Sequence, residues 1–424
     1  MTVATRLRDS RSVDLLAVGS LQGVGAAARF GFQVALARVL LPASFADFAV
    51  ALGWTQVIAA AVGGGAGAYL LTSLPEQVAR HDDAAAMARY RQGVGWSVAT
   101  SLVLALGVAV IVHGTGGAGA TAAGAAVLVT AGLRSALLAT QESNRSLGGL
   151  MSSQFLTMIL QPVTAVALLG AAALLLTTPI DPMVAAGALG ASLAVAWTAQ
   201  HLRTRARLPA VPPGVRARRE PVEWRQLIRL GTAAAMLTWM VEGTVLLSSL
   251  VSDDKVALAR FAAHVRLSVV TSIAAVSVST VASTRWARSI REGGGPPSLR
   301  DGFRWSALGA GAAVAAGLTL LAVAGPVLKL FGESYTYSPR ILGGLVAKDV
   351  FVAAASPLFY VLVLTGRASS AARASAGGAV ALAAVPIGLV VGGFPGAGLG
   401  AAFAGAVWFG CFAFAVARGP RVSA

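Results

Sequence analysis

Charged residues are scarce in this chain, and their scarcity excludes a soluble protein. They make up 12% of the 424 residues, whereas 56% are hydrophobic and the mean hydropathy is +0.74. A soluble domain has about a quarter of its residues charged. The hydrophobic residues form continuous runs of about 20 residues or more, long enough to cross about 30 Å of hydrocarbon, instead of the alternating segments of a transmembrane barrel. The sequence therefore predicts an all-α polytopic membrane protein.

Reactive and metal-binding side chains are also few. The single cysteine excludes a disulfide framework, and four scattered histidines exclude a histidine-rich metal site. The sequence has no phosphate-binding loop, no HExxH motif and no serine–histidine–aspartate set on extramembrane segments. An integral glycosyltransferase would need extramembrane catalytic acids, which are missing. We therefore expect a protein that is not an enzyme and needs no metal or cofactor; a coupling ion, H⁺ or Na⁺, is left open.

Twelve membrane spans are predicted. They cover residues of about 13–40, 45–72, 88–112, 116–140, 148–176, 182–202, 225–250, 256–283, 303–324, 339–365, 369–392 and 396–417. Most arginines then fall in the even-numbered loops and the two tails, which predicts that both termini are cytoplasmic. The polar start is followed by no cleavage pattern, so the first span is expected to remain as an anchor. The abundance of arginine, alanine and glycine favours a bacterial source, and hence the bacterial cytoplasmic membrane.

A basic segment, RTRARLPAVPPGVRARREP (203–221), separates spans six and seven. Its arginines and prolines indicate an exposed cytoplasmic linker. We therefore divide the chain into an N-lobe (1–202), the linker (203–224) and a C-lobe (225–424). The net charge of +16 is mostly arginine on the cytoplasmic side, which faces anionic membrane lipids, so nucleic acid is not an expected partner.

Two short similarities indicate that the lobes are duplicates. ADFAVA (46–51) resembles ARFAAH (259–264) at an offset of 213, and RQGVGWS (91–97) resembles RDGFRWS (300–306) at an offset of 209. Each lobe then has six helices in the same orientation, and a pseudo-twofold axis along the membrane normal relates the two lobes.

Glu242 is a costly carboxylate inside span seven, MLTWMVEGTVLLSSL (236–250). A charge at the centre of a spanning helix costs about 2.5–3.5 kcal/mol on insertion scales, so such a residue usually has a partner or a function. The 213 offset maps Glu242 onto Arg29 in span one, and Arg260 onto Asp47. Because equivalent positions carry opposite charges, we expect Arg29 and Glu242 to pair or to share a water-filled cavity.

Other polar residues extend this layer near the midplane. Helical spacing places Gln22, Arg29 and Gln33 on one side of span one, and Arg260 and His264 on one face of span eight. The predicted cavity residues are Arg29, Glu242, Arg266, Arg260, His264, Gln22, Gln33, Lys348 and Asp349. Asp47 and Arg260 form a candidate outer gate, with snorkelling of the side chains at helix ends as the alternative. Ion pairs that only fix packing, Lys348 with Asp349 among them, are the alternative to a functional cavity.

The run GGGAG (63–67) in span two is not followed by Gly-Lys-Ser/Thr, so it is not a phosphate loop. It predicts a close helix approach or a bend in the helix.

Two segments carry a family resemblance. VLKLFGESYTYSPRILGGLVAKDVFVAAASPLFYVLVLTGRASSAARAS (327–375) resembles the tenth-helix region of bacterial polysaccharide-unit flippases, which belong to the multidrug/oligosaccharidyl-lipid/polysaccharide (MOP) superfamily. LPASFADFAVA (41–51) is similar to the family's first outer loop. The resemblance implies a V-shaped, MATE-like pair of lobes that alternates between inward-open and outward-open states. In the similar lipid II flippases, arginines on helices one and eight hold the pyrophosphate; Arg29 matches the first, and either Arg266 or Arg260 the second.

The leading hypothesis is an alternating-access flippase. It would move a lipid-linked oligosaccharide, on a polyprenyl pyrophosphate, from the cytoplasmic to the outer leaflet through a cationic cavity. Glycan-assembly proteins are expected partners. The chain has twelve predicted spans instead of the lipid II branch's fourteen and no charge inside span two, which argues against lipid II itself as cargo. The alternatives are a MATE-like drug or cation antiporter, which needs an acid-dominated cavity, and a non-transporting scaffold for cell-envelope glycan assembly.

Overall fold

The computed structural model describes residues 3–80, 82–114, 120–176, 180–208, 224–291 and 295–418. These residues form helices and connecting loops without a strand, which confirms the all-α prediction. The first half contains α1 (Val3–Val39), α2 (Pro42–Ala59), a π-helical turn (Ala60–Gly64), α3 (Gly65–Ala79), α4 (Asp83–Gly114), α5 (Ala122–Val129), α6 (Ala131–Ser146), α7 (Leu150–Phe155), a second π-helical turn (Leu156–Leu160), α8 (Gln161–Leu175) and α9 (Pro182–Arg207). The second half contains α10 (Trp224–Ser249), α11 (Lys255–Arg291), α12 (Leu299–Lys329), α13 (Pro339–Leu364), α14 (Ala368–Ala381) and α15 (Ala384–Ala417).

Nine helical stretches among the described residues are long and apolar enough to cross a membrane. A tenth is added if the bent pair Lys255–Ser272 and Ser277–Ser283 in α11 is one span. The prediction of about twelve spans differs from this number at two places. Helix α1 is not among the stretches, and Ser369–Ala417 is one stretch of 49 residues where two spans were predicted. A polytopic helical membrane protein is confirmed, while the placement of both termini in the cytoplasm stays a prediction.

The Ser369–Ala417 stretch turns back on itself. Gly392 and Gly393 leave the helical conformation, and Gly393 has a φ of 63°, which favours glycine. Beyond this break, the backbone of Gly396 lies against that of Gly388, and Gly400 lies against Ala384. The two segments are therefore antiparallel neighbours, as two consecutive spans would be.

The chain divides into two compact units by its packing. Unit 1 comprises Met1–Phe30, His264–Val327 and Tyr337–Ala424, and unit 2 comprises Gly31–Ala263 and Leu328–Thr336. Helix α10 packs with α2 and α3 in unit 2, whereas the first part of α1 belongs to unit 1. These units follow packing and the predicted lobes follow the internal repeat, so the lobe boundaries at 202 and 225 stay a prediction. The basic linker falls largely on residues 209–223, outside the described residues.

The glycine run of span two lies where three helices of unit 2 meet. A Cβ on Gly63 would lie 2.5 Å from the backbone of Ser135 in α6, and one on Gly65 would lie 2.8 Å from Gly231 Cα in α10. A Cβ on Gly67 would lie 2.9 Å from the side chain of Glu142. The prediction of close helix approach is confirmed, and a π-helical turn coincides with it.

The helix of the fourth predicted span begins and ends later than that span. The sequence predicted a span at about 116–140, whereas the helical stretch runs over Ala122–Ser146 and has Arg134 at its centre. The helix therefore continues beyond the apolar run, which stops at Arg134. The polar residues that follow are mostly buried: Ser135, Thr140, Gln141, Ser143 and Asn144. Contacts with neighbouring helices allow them to continue the span.

Candidate functional site

Helix α1 places two of the predicted cavity residues, Gln22 and Arg29, in unit 1. Gln22 is buried, and its side-chain oxygen accepts a hydrogen bond of 2.8 Å from the hydroxyl of Ser277, next to the bend in α11. Arg29, two helical turns further along α1, is exposed. Gln33 lies in unit 2 and is half-buried. The three residues predicted on one side of span one thus differ in exposure, and their shared cavity stays a prediction.

The part of α11 that lies in unit 1 contributes two buried residues of the predicted cavity, His264 and Arg266. His264 is 1% exposed, and its Nε2 accepts a hydrogen bond of 3.1 Å from the backbone N–H of Ser338. This contact joins α11 to the residue that caps α13. Arg266 is 8% exposed, one and a half turns from Arg260 on the same helix.

Lys348 and Asp349 form a buried ion pair in α13 of unit 1. Lys348 Nζ lies 3.2 Å from Asp349 Oδ1, and their side chains are 0% and 2% exposed. Helix α15 covers the pair, because a Cβ on Gly405 would lie 2.9 Å from Lys348 Cα. The contact between these neighbours fits the packing alternative as well as a cavity role.

Glu242 is buried inside unit 2. Its side chain is next to α2, since Glu242 Oε2 would be 3.4 Å from a Cβ on Gly53, and the residue is 2% exposed. The carboxylate therefore lies beside Gly53. Its predicted pairing with Arg29 stays a prediction.

The outer-gate residues have other contacts in unit 2. Asp47 Oδ2 accepts a hydrogen bond from Lys255 Nζ at 3.1 Å, and Arg260 Nε donates to the carbonyl of Ser334 at 2.8 Å. Arg38 Nε and Nη2 donate to the carbonyls of Leu330 and Lys329 at 2.6 and 2.9 Å. The two arginines therefore hold the backbone of the loop between α12 and α13. The gate itself stays a prediction.

Sequence reasoning missed one candidate, Arg134. It is half-buried at the centre of its span, about 18 Å from either end of the helical stretch Ala122–Ser146. Its Nη2 donates to Gln56 Oε1 in α2 at 3.3 Å. The sequence does show an arginine flanked by helix-forming residues at this position. A hydropathy plot, however, places an arginine that follows an apolar run at the end of a span.

Known proteins of solved structure resemble this chain in their fold. The chain matches no protein-family model and no curated protein. Solved structures do match it along nearly its whole length. An inward-facing multidrug resistance MATE transporter of the MOP superfamily has a TM-score of 0.68 at 14% identity, over 95% of this chain and 96% of that one. The MATE transporter VcmN of Vibrio cholerae, in a point-mutant form, has 0.63 at 14%, over 97% of each chain. The chain has the MATE fold.

A third neighbour with the MATE fold differs in the polarity of its pocket. It is a MOP superfamily transporter from Pyrococcus furiosus, with a TM-score of 0.57 at 13% identity over 95% of this chain and 93% of that one. The binding pocket of that transporter has reverse polarity, which suggests a different function for it. These neighbours are transporters and not enzymes, and a likeness to polysaccharide-unit flippases in particular stays a prediction.

Within this MATE fold, the accessible charges among these residues are cations, whereas the covered ones have both signs, since Lys348 and Arg266 are buried as well as Glu242 and Asp349. Arg29 is exposed and Arg134 is half-buried, whereas Glu242 and Asp349 are 2% and 1% exposed. Arginine presents a planar set of N–H donors that matches phosphate and carboxylate groups. The accessible groups among these residues can therefore bind an anion, and the two acids are not open to a cation.

Proposed function

We propose that the protein is an alternating-access flippase for an anionic lipid-linked glycan, with a polyprenyl-pyrophosphate oligosaccharide as the expected cargo. Transport would run from the cytoplasmic to the outer leaflet of the bacterial cytoplasmic membrane, and glycan-assembly proteins would supply and receive the cargo. The observation that supports it is that Arg29 is exposed, whereas Glu242 and Asp349 are covered.

The physical argument concerns desolvation. A phosphate group that leaves water needs charged hydrogen-bond donors in its place, because an isolated buried anion is very costly. A charged hydrogen bond contributes about 1.5–3 kcal/mol, and arginine can form two in parallel. An arginine in the centre of a spanning helix almost always faces the protein interior or a water-filled space. Arg29 is therefore suited to hold the cargo's headgroup while the lipid tail remains in the bilayer.

A drug or cation antiporter is the alternative, since multidrug transporters share the fold. A cationic cargo needs an accessible acid at mid-depth. Glu242 lies in the space beside Gly53, and Asp349 is paired with Lys348. The neighbour with reverse pocket polarity is a case in which the same fold goes with a different pocket charge. The fold therefore does not favour a cation over an anion.

The test is a leaflet-sidedness assay in proteoliposomes that contain the purified chain and a prenyl-pyrophosphate-linked oligosaccharide. We expect wild type to expose the glycan on the opposite leaflet, Arg29→Ala to lose this activity and Arg29→Lys to retain part of it. Arg300→Ala, which removes an exposed arginine at the start of α12, is the matched control and should flip normally.

Two outcomes would overturn the proposal. One is normal flipping and normal binding by Arg29→Ala. The other is transport of an organic cation, such as ethidium, by wild type with no movement of the glycan lipid; loss of that transport in Glu242→Gln would then support the antiporter.

A further inference from the structure

Two tryptophans pack against each other deep in unit 2. The ring centroids of Trp54 in α2 and Trp239 in α10 are 5.9 Å apart, and the ring planes are tilted by 48°. Both residues are half-buried. Trp239 lies about 22 Å from the first residue of α10 and about 15 Å from the last, and Trp54 lies about 18 Å from the start of α2. We call these two residues the tryptophan pair.

Depth distinguishes the tryptophan pair from aromatic residues that anchor a protein at the membrane surface. Tryptophan is enriched at the two membrane–water interfaces, where its N–H reaches polar groups. A second pair has such a position: Trp224, the first residue of α10, is 48% exposed and packs on Trp96 at 5.3 Å. Hydrocarbon at mid-depth offers no acceptor for an indole N–H. The accessible surface of the tryptophan pair therefore favours a polar space over lipid.

The tryptophan pair lies where the fully buried parts of both helices end. All residues are buried at 45–53 in α2 and at 242–246 in α10. Further along the α2–α3 stretch, Gly65 approaches Gly231, so this stretch and α10 are antiparallel and the two buried segments lie on the same side of the pair. The residues on the other side include half-buried and exposed ones: Gln56, Val57, Met236 and Leu237. The tryptophan pair is thus the first accessible contact beyond a closed segment.

An accessible indole suits the sugar part of the proposed cargo. The face of an aromatic ring is electron-rich. The C–H groups of a pyranose ring carry a weak positive charge, so a sugar can pack flat against that face. The indole N–H can in addition donate to a sugar hydroxyl. A pyrophosphate gains nothing from an electron-rich face, because it is itself an anion.

We propose that the tryptophan pair is a carbohydrate-binding subsite in unit 2, on which a pyranose ring of the glycan stacks during transport. The inference rests on the proposed function, because it assumes a lipid-linked glycan as cargo. It deepens that function by assigning two parts of the cargo to different residues. Arg29 in unit 1 holds the pyrophosphate, and the tryptophan pair holds a sugar.

The test measures binding of two synthetic probes to the full-length chain in detergent. Both contain the same short prenyl pyrophosphate; one also carries a disaccharide of N-acetylglucosamine, and the other carries no sugar. We expect wild type to bind the glycan probe more tightly. Trp54→Leu and Trp239→Leu should each weaken binding of the glycan probe about tenfold, as the loss of a stacked ring predicts, and should bind the sugar-free probe within about twofold of wild type. Equal binding of the two probes by wild type overturns the proposal.

The sugar-free probe also reports whether each variant is folded, since its binding does not use the indole rings. Trp239→Phe keeps an aromatic face and should recover part of the glycan binding. Trp224→Leu, which removes a ring of the other pair, is the matched control and should bind both probes as wild type does. Equal weakening of both probes by Trp54→Leu and Trp239→Leu would show a structural effect and overturn the proposal. Less than about twofold weakening of the glycan probe would also overturn it.

An organic cation is the other kind of ligand that an aromatic face attracts. Ethidium is therefore a third probe. If Trp54→Leu and Trp239→Leu weaken binding of ethidium and leave binding of the glycan probe unchanged, the tryptophan pair serves a cation and the proposal is overturned.

Arg29→Ala separates this inference from the proposed function. If Arg29→Ala weakens both prenyl probes and the tryptophan variants weaken neither, the flippase proposal stands and the sugar subsite is refuted. If the tryptophan variants weaken the glycan probe and Arg29→Ala weakens neither, the sugar subsite stands and the role of Arg29 is refuted. Failure of wild type to bind either prenyl probe refutes both.

Discussion

Arg29 and Glu242 occupy equivalent positions in the predicted duplication, yet their surroundings are opposite. Arg29 is exposed on α1, where no atom of another described helix lies within 4 Å of a potential Cβ on the neighbouring Gly23 or Gly31. Glu242 is 2% exposed on α10, which packs against Gly53 of α2 and Gly65 of α3. The same place in two similar helices thus carries an accessible cation in one and a covered acid in the other.

This difference indicates a division of roles between the charges near mid-depth. Accessible cations are available to a ligand, whereas covered charges of either sign contribute to the packing of their unit. Asp349 follows the same rule, because it is buried beside Lys348. The rule predicts that substitutions at the exposed position change transport and that substitutions at the covered positions change stability.

The largest effect is expected when Arg29→Ala is compared with Glu242→Gln in the flipping assay. Loss of two charged hydrogen bonds would reduce transport by about 100-fold for Arg29→Ala. Glu242→Gln keeps the shape of the side chain beside Gly53 and should transport within about threefold of wild type. A larger loss of transport in Glu242→Gln than in Arg29→Ala would contradict this division of roles.

Substitutions in the buried ion pair of unit 1, Lys348 and Asp349, should give the largest effect on stability. Lys348→Met leaves Asp349 buried without its cation, which should cost about 3–5 kcal/mol of unfolding free energy. The double variant Lys348→Met/Asp349→Leu should regain most of that loss. Denaturation in mixed micelles measures both, with Arg145→Met as the control for a half-exposed pair that contributes about 1 kcal/mol or less. Lost flipping at unchanged stability would instead assign the pair to the cargo.

A smaller effect should distinguish the packing of α10 from that of α1. A Cβ on Gly231 would collide with the carbonyl oxygen of Ala61, so Gly231→Ala should destabilise the protein by about 1–3 kcal/mol. Gly31→Ala has open space and should stabilise it by up to about 1 kcal/mol through helix propensity. Thermal unfolding of the two variants side by side checks the difference. Equal stability of both would show that α10 is packed no more tightly than α1.

The smallest effect concerns the loop that Arg38 and Arg260 hold. The hydroxyl of Tyr335 is buried and has no hydrogen-bond partner among the described residues, and burial raises the pKa of Tyr335 to about 12. The unfolded phenol ionises near pH 10 and the folded one near 12, so stability should fall between these values. Tyr335→Phe should remove this fall and stabilise the protein by about 1 kcal/mol at neutral pH. A stability loss at neutral pH would show that the hydroxyl is bound.

The fold was largely predictable from the sequence, because hydropathy and the Ser/Pro/Gly helix boundaries depend on local sequence. The glycine contacts of span two were also accessible this way. Arg134 was not, since its place depends on whether the polar residues after it are buried against other helices. Whether Arg29 is exposed and Glu242 covered also depends on neighbours far along the chain, such as Gly53, which no local pattern specifies.

The π-helical turn at Ala60–Gly64 also bears on how the two halves can be aligned. A hydrogen bond from residue i to i+5 encloses one more residue than the usual i to i+4 bond, so a helix can take up an extra residue without gaining a loop. The repeat offset falls from 213 to 209 between residues 46 and 91, and this turn lies inside that interval. The turn accounts for one of these four residues, so an alignment of the halves should allow a one-residue gap within span two, and residues on either side of the turn should be compared in separate registers.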